Sequence, residues 1–310
     1  AYVDGPKDLK GWADARDAEV IARCRLMRSL EPVEARRHVK AMRRAAREML
    51  SKVRPDVFLG ESIDQFLHDV LFQEVNDLGI ASFGMIRTFV NGYYRISERG
   101  EMRHVRQPSE EEVSAIRERL SADHYIPSNL ISLKRSPLFT YLRIMVSNNL
   151  RVVAFFLRRH LSGEKYNYHY WVSERGTREQ YQHILPKWSF GSANWRDELA
   201  NVTRPIVYLP LQHFPEATVD YWSDDLEEVE YPRRLYAYVE KLRKDFHVLI
   251  KEHPGVWGFR KPSFYRPLEG LENVTICQTS EPSQNCLAVA DAVLVWTGSV
   301  GFEAALRGKA

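Results

Sequence analysis

The sequence lacks the signatures that announce the commonest nucleotide and metal enzymes. No Gly-x-Gly-x-x-Gly and no Gly-Lys-Ser/Thr loop occurs in its 310 residues, so dinucleotide dehydrogenases and P-loop NTPases are set aside. No Asp-x-Asp occurs either. That removes the carboxylate pair with which one nucleotide-sugar fold holds a divalent ion, and no metal site or cofactor is expected. The three cysteines, Cys24, Cys277 and Cys286, have neither metal spacing nor an even count. They read as reduced, buried thiols of a cytosolic protein. A formal charge of +3 is too small to argue for a nucleic-acid partner. There is no secretory signal, no internal repeat and no low-complexity stretch. No apolar run reaches the length of a bilayer span; the nearest, Leu138 to His160, is interrupted by Arg143, Asn148, Asn149 and Arg151.

What remains is an ordinary globular composition, 44% hydrophobic and 27% charged, in a chain long enough for two domains. The chain starts without methionine and stops just after a predicted helix, where a doubly wound sheet would continue, so it reads as a fragment. Leu9 to Leu30 and Pro32 to Val53 are expected to be helices. On the second, Val33, Ala41, Ala45 and Leu50 are read as the apolar face and Arg36, Arg37, Lys40, Arg43, Arg44 and Arg47 as the other. Those basic residues are either a solvated face or a phosphate-binding surface. Asp56 to Gly60, Ile63 to Leu78 and Ile80 to Ile86 make one βαβ unit, Gly79 ending its helix. Ser109 and Glu112 form a capping box. Pro137 to His160 and Arg178 to Leu185 are further helices, flanking an aromatic segment from Tyr166 to Trp171. The region of about 107–201 is not a simple βα repeat. It reads either as a helical insertion that shapes the acceptor side of a cleft or as a segment that only packs against the first domain. It lies within an N-terminal domain over 1–203 that is expected to be the acceptor side.

The C-terminal domain, 204–310, follows the order β, α, β, β, α, β, α and reads as Rossmann-like. Its strands are Arg204 to Pro210, His247 to Ile250, Asn273 to Cys277 and Ala292 to Trp296, with helices Tyr231 to Phe246 and Ser283 to Ala290. Ligands of such sheets lie beyond the carboxyl ends of the strands. Three loops occupy those ends: Gln212-His213 through Glu216, Lys251-Glu252-His253-Pro254, and Thr297-Gly298-Ser299 leading to Gly301 and Glu303. Pro254 holds His253 extended at the ligand edge, and Lys251, Arg260, Lys261 and Arg266 make its neighbourhood cationic, which suits a phosphate. Thr297 and Ser299 add hydroxyls at a helix N-terminus that favours anions, and Gly298 and Gly301 permit close backbone approach. Glu303, one turn after Ser299, faces the same side. The plainer reading is a helix cap with tight helix–strand packing. In the first domain Glu61 follows its strand directly and could take a proton from an attacking hydroxyl, with Asp64 as a second candidate. Either could equally be a carboxylate that merely satisfies a helix N-terminus.

Three stretches together resemble the bacterial capsule polysaccharide biosynthesis proteins, a group that includes Kdo transferases. They are Leu209-Pro210-Leu211-Gln212-His213-Phe214-Pro215-Glu216-Ala217-Thr218, Lys251-Glu252-His253-Pro254, and Ala290 to Val293 leading to Thr297-Gly298-Ser299-Val300-Gly301-Phe302-Glu303-Ala304 with Gly308-Lys309. The likeness covers Ile206 to Lys309 well and Arg54 to Gly84 loosely. It implies an α/β, GT-B-like architecture, with two Rossmann-like domains facing across a cleft and the nucleotide sugar on the C-terminal one. The activity implied is metal-independent transfer of a sugar, with Kdo from CMP-Kdo as donor, to a glycan or glycolipid acceptor. A UDP-linked donor stays open. His253, as in the similar His-Pro motif of bacterial sialyltransferases, would meet the nucleotide phosphate. Thr297, Gly298 and Ser299 would hold the same region and Glu303 the ribose, with Gln212, Glu216, Lys251 and Arg260 also on the nucleotide side. Glu61 would be the base by position alone. The implied location is cytoplasmic, compatible with peripheral association at the cytoplasmic face of the inner membrane. Two other readings stay open: a CDP-glycerol-type phosphotransferase of teichoic acid synthesis, and a GT-B scaffold that binds glycan without turnover.

Overall fold

A computed structural model of the chain describes residues 14–101, 103, 106–121, 137–162, 191–213, 216–253, 256 and 260–309. The expected helix Arg178 to Leu185, the aromatic segment Tyr166 to Trp171, and Phe214, Pro215 and Pro254 lie outside them. The chain is a mixed α/β protein and divides into two compact units, Ala1–Asn129 with Phe214–Arg234, and Leu130–His213 with Leu235–Ala310.

The first unit opens with helix α1, Ala15–Arg23, capped by the Asp14 carboxylate, which accepts from the Arg16 N–H at 2.9 Å. The expected continuous helix to Leu30 is broken at Cys24, whose backbone is extended, and only a 3₁₀ turn, Met27–Ser29, follows. Helix α2, Pro32–Val53, begins on a proline at its first position, where the missing N–H is no loss. Its buried face is Ala35, Val39, Ala46 and Leu50. Val33, Ala41 and Ala45, expected inside, are exposed. The reason lies in two of the arginines. Arg43 donates to Asp17 of α1 at 2.6 Å and to Glu74 at 2.8 Å, and Arg47 also pairs with Glu74. Glu74 is 1% exposed, and a buried carboxylate needs cationic partners. Those pairs set the rotation of α2. The basic run is thus split: Arg43 is half-buried against its carboxylates and Arg47, itself exposed, reaches back to Glu74, whereas Arg37, Lys40 and Arg44 are simply exposed.

Strand β1, Val57–Glu61, helix α3, Phe66–Asp77, and strand β2, Ala81–Arg87, form the expected βαβ unit, β1 parallel to β2 with Glu61 opposite Met85. Of the α3 residues that the pattern turns inward, Phe66, Val70 and Val75 are buried, joined by Phe72, whereas Leu67 and Leu71 are only half-buried. Strand β3, Tyr94–Ile96, pairs antiparallel with β2. Gly84 of β2 must be glycine, because a Cβ there would meet the Ser97 carbonyl oxygen at 2.2 Å. Helix α4, Glu110–Ser121, starts with the expected capping box: the Glu112 N–H donates to Ser109 Oγ at 3.2 Å and the Ser109 N–H to Glu112 at 2.9 Å. From the distant segment, Tyr221 packs on Ile63 and Phe72 with Trp222 and Ala217 alongside.

In the second unit α5 spans Pro137–Ser162 and the short helix α6 spans Trp195–Leu199. Four strands follow: β4, Ile206–Pro210; β5, His247–Lys251; β6, Val274–Cys277; and β7, Ala292–Val293. They form one parallel sheet in the order β6-β5-β4-β7. Helices α7, Tyr231–Leu242, α8, Ser283–Val289, and α9, Ser299–Leu306, alternate with them, in the expected order. Every residue of β5 is buried, the apolar centre Val248-Leu249-Ile250 as a central parallel strand requires and His247 and Lys251 at its ends as well. Trp195, Tyr208, Leu249, Leu287 and Ala304 share the core with Cys277 and Cys286, whose sulfurs lie 3.8 Å apart. The last strand is shorter than expected. The Leu294 N–H still reaches the Tyr208 carbonyl at 3.0 Å. Further on, Trp296 leaves the ladder to pack edge-on against Tyr238 of α7, 5.4 Å between centroids.

Candidate functional site

The order β6-β5-β4-β7 means that the chain starts at β4, steps outward on one side to β5 and β6, and returns on the other side as β7. The reversal falls between β4 and β7. In open parallel sheets that switch point is where a crevice opens beyond the strand ends. The loop after β4 carries Gln212 and His213, the loop after β5 carries Glu252 and His253, and the loop after β7 carries Thr297 and Gly298, with Ser299 opening α9.

The β5 loop is organised by a residue the sequence reading passed over. Glu252 is 1% exposed. Its Oε1 accepts the His253 N–H at 2.6 Å, and its Oε2 accepts Arg260 Nε at 2.7 Å and the Tyr265 hydroxyl at 2.8 Å. Arg260 also donates to the Gln212 carbonyl and lies over the Phe264 ring, 4.6 Å from its centroid. One carboxylate therefore fixes the backbone of His253, the fold-back of residues 260–265 and, through Arg260, the β4 loop. The signal was present in the sequence as an acid between Lys251 and His253 with an arginine eight residues on. Arg260 thus spends its hydrogen bonds on protein partners and contributes charge to the neighbourhood. Lys251, 3% exposed, donates to the Glu252 carbonyl at 3.0 Å. Burial holds its pKa below the usual lysine range.

His213 and His253 meet edge to face, 5.1 Å between ring centroids. Burial first, then His213, Lys251 and Arg260, push the His253 pKa down to about 3, so at neutral pH its imidazole is uncharged, with one N–H donor and one acceptor nitrogen. An approaching phosphate would offset the part of that shift that His213, Lys251 and Arg260 cause, leaving the part due to burial.

At the third loop α9 begins on Gly298, whose φ of 112° only glycine adopts without strain, and no side chain caps it. Close approach is not what Gly298 serves in the protein itself, since the space around a Cβ there is empty. At Gly301 a Cβ would meet Val295 Cγ2 at 2.8 Å, so that glycine serves helix–strand packing, the plainer of the two readings. Thr297 Oγ1 is buried with no hydrogen-bond partner, an unmet donor beside an uncapped helix start. Glu303 faces the same side as Ser299, as expected. It is hydrogen-bonded by the Ser299 hydroxyl and by Gln284 at 3.3 Å, and burial raises its pKa.

The first unit holds the remaining candidates. Glu61 is the last residue of β1 rather than the residue after it, and is exposed at the strand's carboxyl end. Asp64 lies 3.2 Å from His68 Nδ1, and that carboxylate, foremost, raises the His68 pKa. His68 is a further base candidate that was missed because it sits one helical turn beyond the carboxylate orienting it. Glu216 precedes the short helix Ala217–Asp220 and accepts a hydrogen bond from the Thr218 hydroxyl at 3.0 Å.

Among known proteins, the sequence pattern of the family described as capsule polysaccharide biosynthesis protein matches residues 135–310, more than half of the chain. Neither a curated protein nor a solved structure matches it.

Proposed function

The chain belongs to the capsule polysaccharide biosynthesis family, and from that premise we propose that it is a glycosyltransferase that moves a sugar from a nucleotide donor to a glycan or glycolipid acceptor. Kdo from CMP-Kdo is the donor favoured by the sequence resemblance. The observation that carries the reading is what the strand-end loops bring to one edge of the sheet: paired imidazoles with buried Lys251 at the ends of β4 and β5, and after β7 an uncapped helix start with an unmet Thr297 hydroxyl. These groups are donors or positive charges, and an anionic diester is the ligand that answers them.

In this reading His253 donates to the donor phosphate and gains a proton as negative charge develops there. Thr297 and Ser299 hydroxyls and the α9 N–H groups hold the same phosphate. Glu303 receives ribose hydroxyls, displacing its present bond from Ser299, and Gln212 lies beside the nucleotide. The acceptor oxygen attacks the anomeric carbon as the bond from that carbon to the phosphate oxygen breaks. The nucleotide leaves with the electron pair, and a base takes the acceptor proton. Glu61 is the proposed base, on a GT-B arrangement of two facing domains. Leaving-group charge is met by fixed dipoles and cations, so the reaction needs no divalent ion.

Nucleotide release from CMP-sugars, UDP-sugars and CDP-glycerol, with and without EDTA, tests this directly. Release of CMP or UDP with an acceptor, unaffected by EDTA, is expected. Turnover of CDP-glycerol alone would convert the reading to a phosphotransferase. Tight nucleotide-free glycan binding without turnover would make the chain a scaffold.

A further inference from the structure

Between Pro137 and Ser162 the sequence has four arginines, Arg143, Arg151, Arg158 and Arg159, and no aspartate or glutamate. All 26 residues form the single helix α5. Leu142, Val146, Leu150, Val153, Leu157 and Leu161 follow one another at spacings of three and four, and so fall on one face, within roughly a 100° arc. That face is exposed: these six side chains are 44 to 86% accessible. Arg143 borders the arc, and Arg151 and Arg158 follow it on the same side of the helix, all three exposed. A continuous apolar stripe of this length left to water marks a docking surface.

The charge identifies the occupant. Packing two copies of α5 along this stripe would bring arginines against arginines with no acid to separate them, which disfavours self-association. Among the described residues no helix is long and apolar enough to cross a membrane, so the stripe does not mark a span. A long helix with an apolar face, bordering arginines and no acidic residue has the character of one that lies in the plane of an anionic bilayer. We propose that α5 is a membrane-docking helix. Its leucine and valine face enters the boundary between headgroups and acyl chains, while Arg143, Arg151 and Arg158 run their stems along that boundary and meet lipid phosphates. The docking is independent of the transferase reading; only its consequence, that the chain sits where a glycolipid acceptor is embedded, rests on it.

The test is co-sedimentation of the purified chain with vesicles of phosphatidylcholine alone and of phosphatidylcholine mixed with phosphatidylglycerol, at low and high salt. Binding to the anionic vesicles only, weakened by salt, is expected. Replacing Arg143 and Arg151 together by Gln should weaken it roughly thirtyfold. Leu150→Asp with Leu157→Asp should abolish it, with circular dichroism and melting unchanged because both positions are exposed. Hydrogen exchange on the unaltered chain supplies a readout that needs no variant: anionic vesicles should slow the amides of α5. The proposal is overturned if anionic vesicles are not bound, if the double Asp variant binds them as well as the original chain, or if protection falls elsewhere. A dimer abolished by Leu150→Asp, with vesicles ignored, would overturn it in favour of a contact between copies.

Discussion

The imidazoles of His213 and His253 meet edge to face, 5.1 Å apart, at the carboxyl ends of two adjacent parallel strands. Neither ring alone distinguishes a structural histidine from a ligand-binding one. Together, beside Lys251 and Arg260 and with the Glu252 carboxylate already occupied by Arg260, Tyr265 and the His253 N–H, they leave a neighbourhood short of negative charge.

His253→Asn should therefore weaken nucleotide binding by one to two decades, the worth of a charge-assisted hydrogen bond of about 1.5–3 kcal/mol. His213→Asn should weaken it less, and the two losses should not add, because the rings touch. Calorimetric titration with CMP and UDP reads this. A variant that melts far lower yet binds as before would show the histidine to be structural.

Proton uptake is the second expectation. His253 titrates at about 3 in the free protein, and a bound phosphate raises that value. A phosphodiester of cytidine, which does not titrate near neutrality, should bind more tightly as pH falls from 8 toward 5. Calorimetry in buffers of different ionisation enthalpy should register protons taken up. The stability effect has a definite sign. The folded pKa lies below the unfolded value of about 6.5, so the stability that neutral His253 contributes is complete above pH 6.5 and is lost between there and about 3. His253→Asn should flatten the fall in melting temperature across that window. An unchanged slope would assign the acid sensitivity to other groups.

Glu252→Gln should destabilise the second unit more than any change at the ligand-facing residues. It leaves Arg260, 7% exposed, without its carboxylate, and breaking a buried ion pair from one side costs about 3–5 kcal/mol. Adding Arg260→Met should recover much of that loss, since an apolar pair of similar volume does not strand a charge. Thermal unfolding of the single and double variants decides it; a double variant no more stable than Glu252→Gln would remove the clamp from the account.

On the acceptor side, Glu61→Gln should bind donor normally and lose roughly 10²–10⁴ in rate. Asp64→Asn should lower the His68 pKa, which the neighbouring carboxylate raises, and NMR titration of that ring is the readout. Full turnover in Glu61→Gln together with an inactive His68→Gln would transfer the base to the Asp64–His68 pair.

The parallel strands, the Ser109–Glu112 cap and the β, α, β, β, α, β, α order could be read from residue pattern because their causes are local. An apolar run bounded by breakers forms a strand from its own residue pattern, and a cap needs only residues three apart. The strand-end loops were legible for the same reason, since a strand's end is also the sheet's edge. The facing of α2 was not. Its alanines lie on several sides, so the pattern has no unique apolar face, and buried Glu74 chose one by drawing in Arg43 and Arg47. Nor could sequence assign Phe214–Arg234 to the first unit, where Tyr221 fills a gap beside Ile63 and Phe72. The Glu252 clamp belongs to the same class. A charge can be buried only where partners from elsewhere in the chain surround it, and Gln212, Arg260 and Tyr265 become its neighbours only after the sheet has formed.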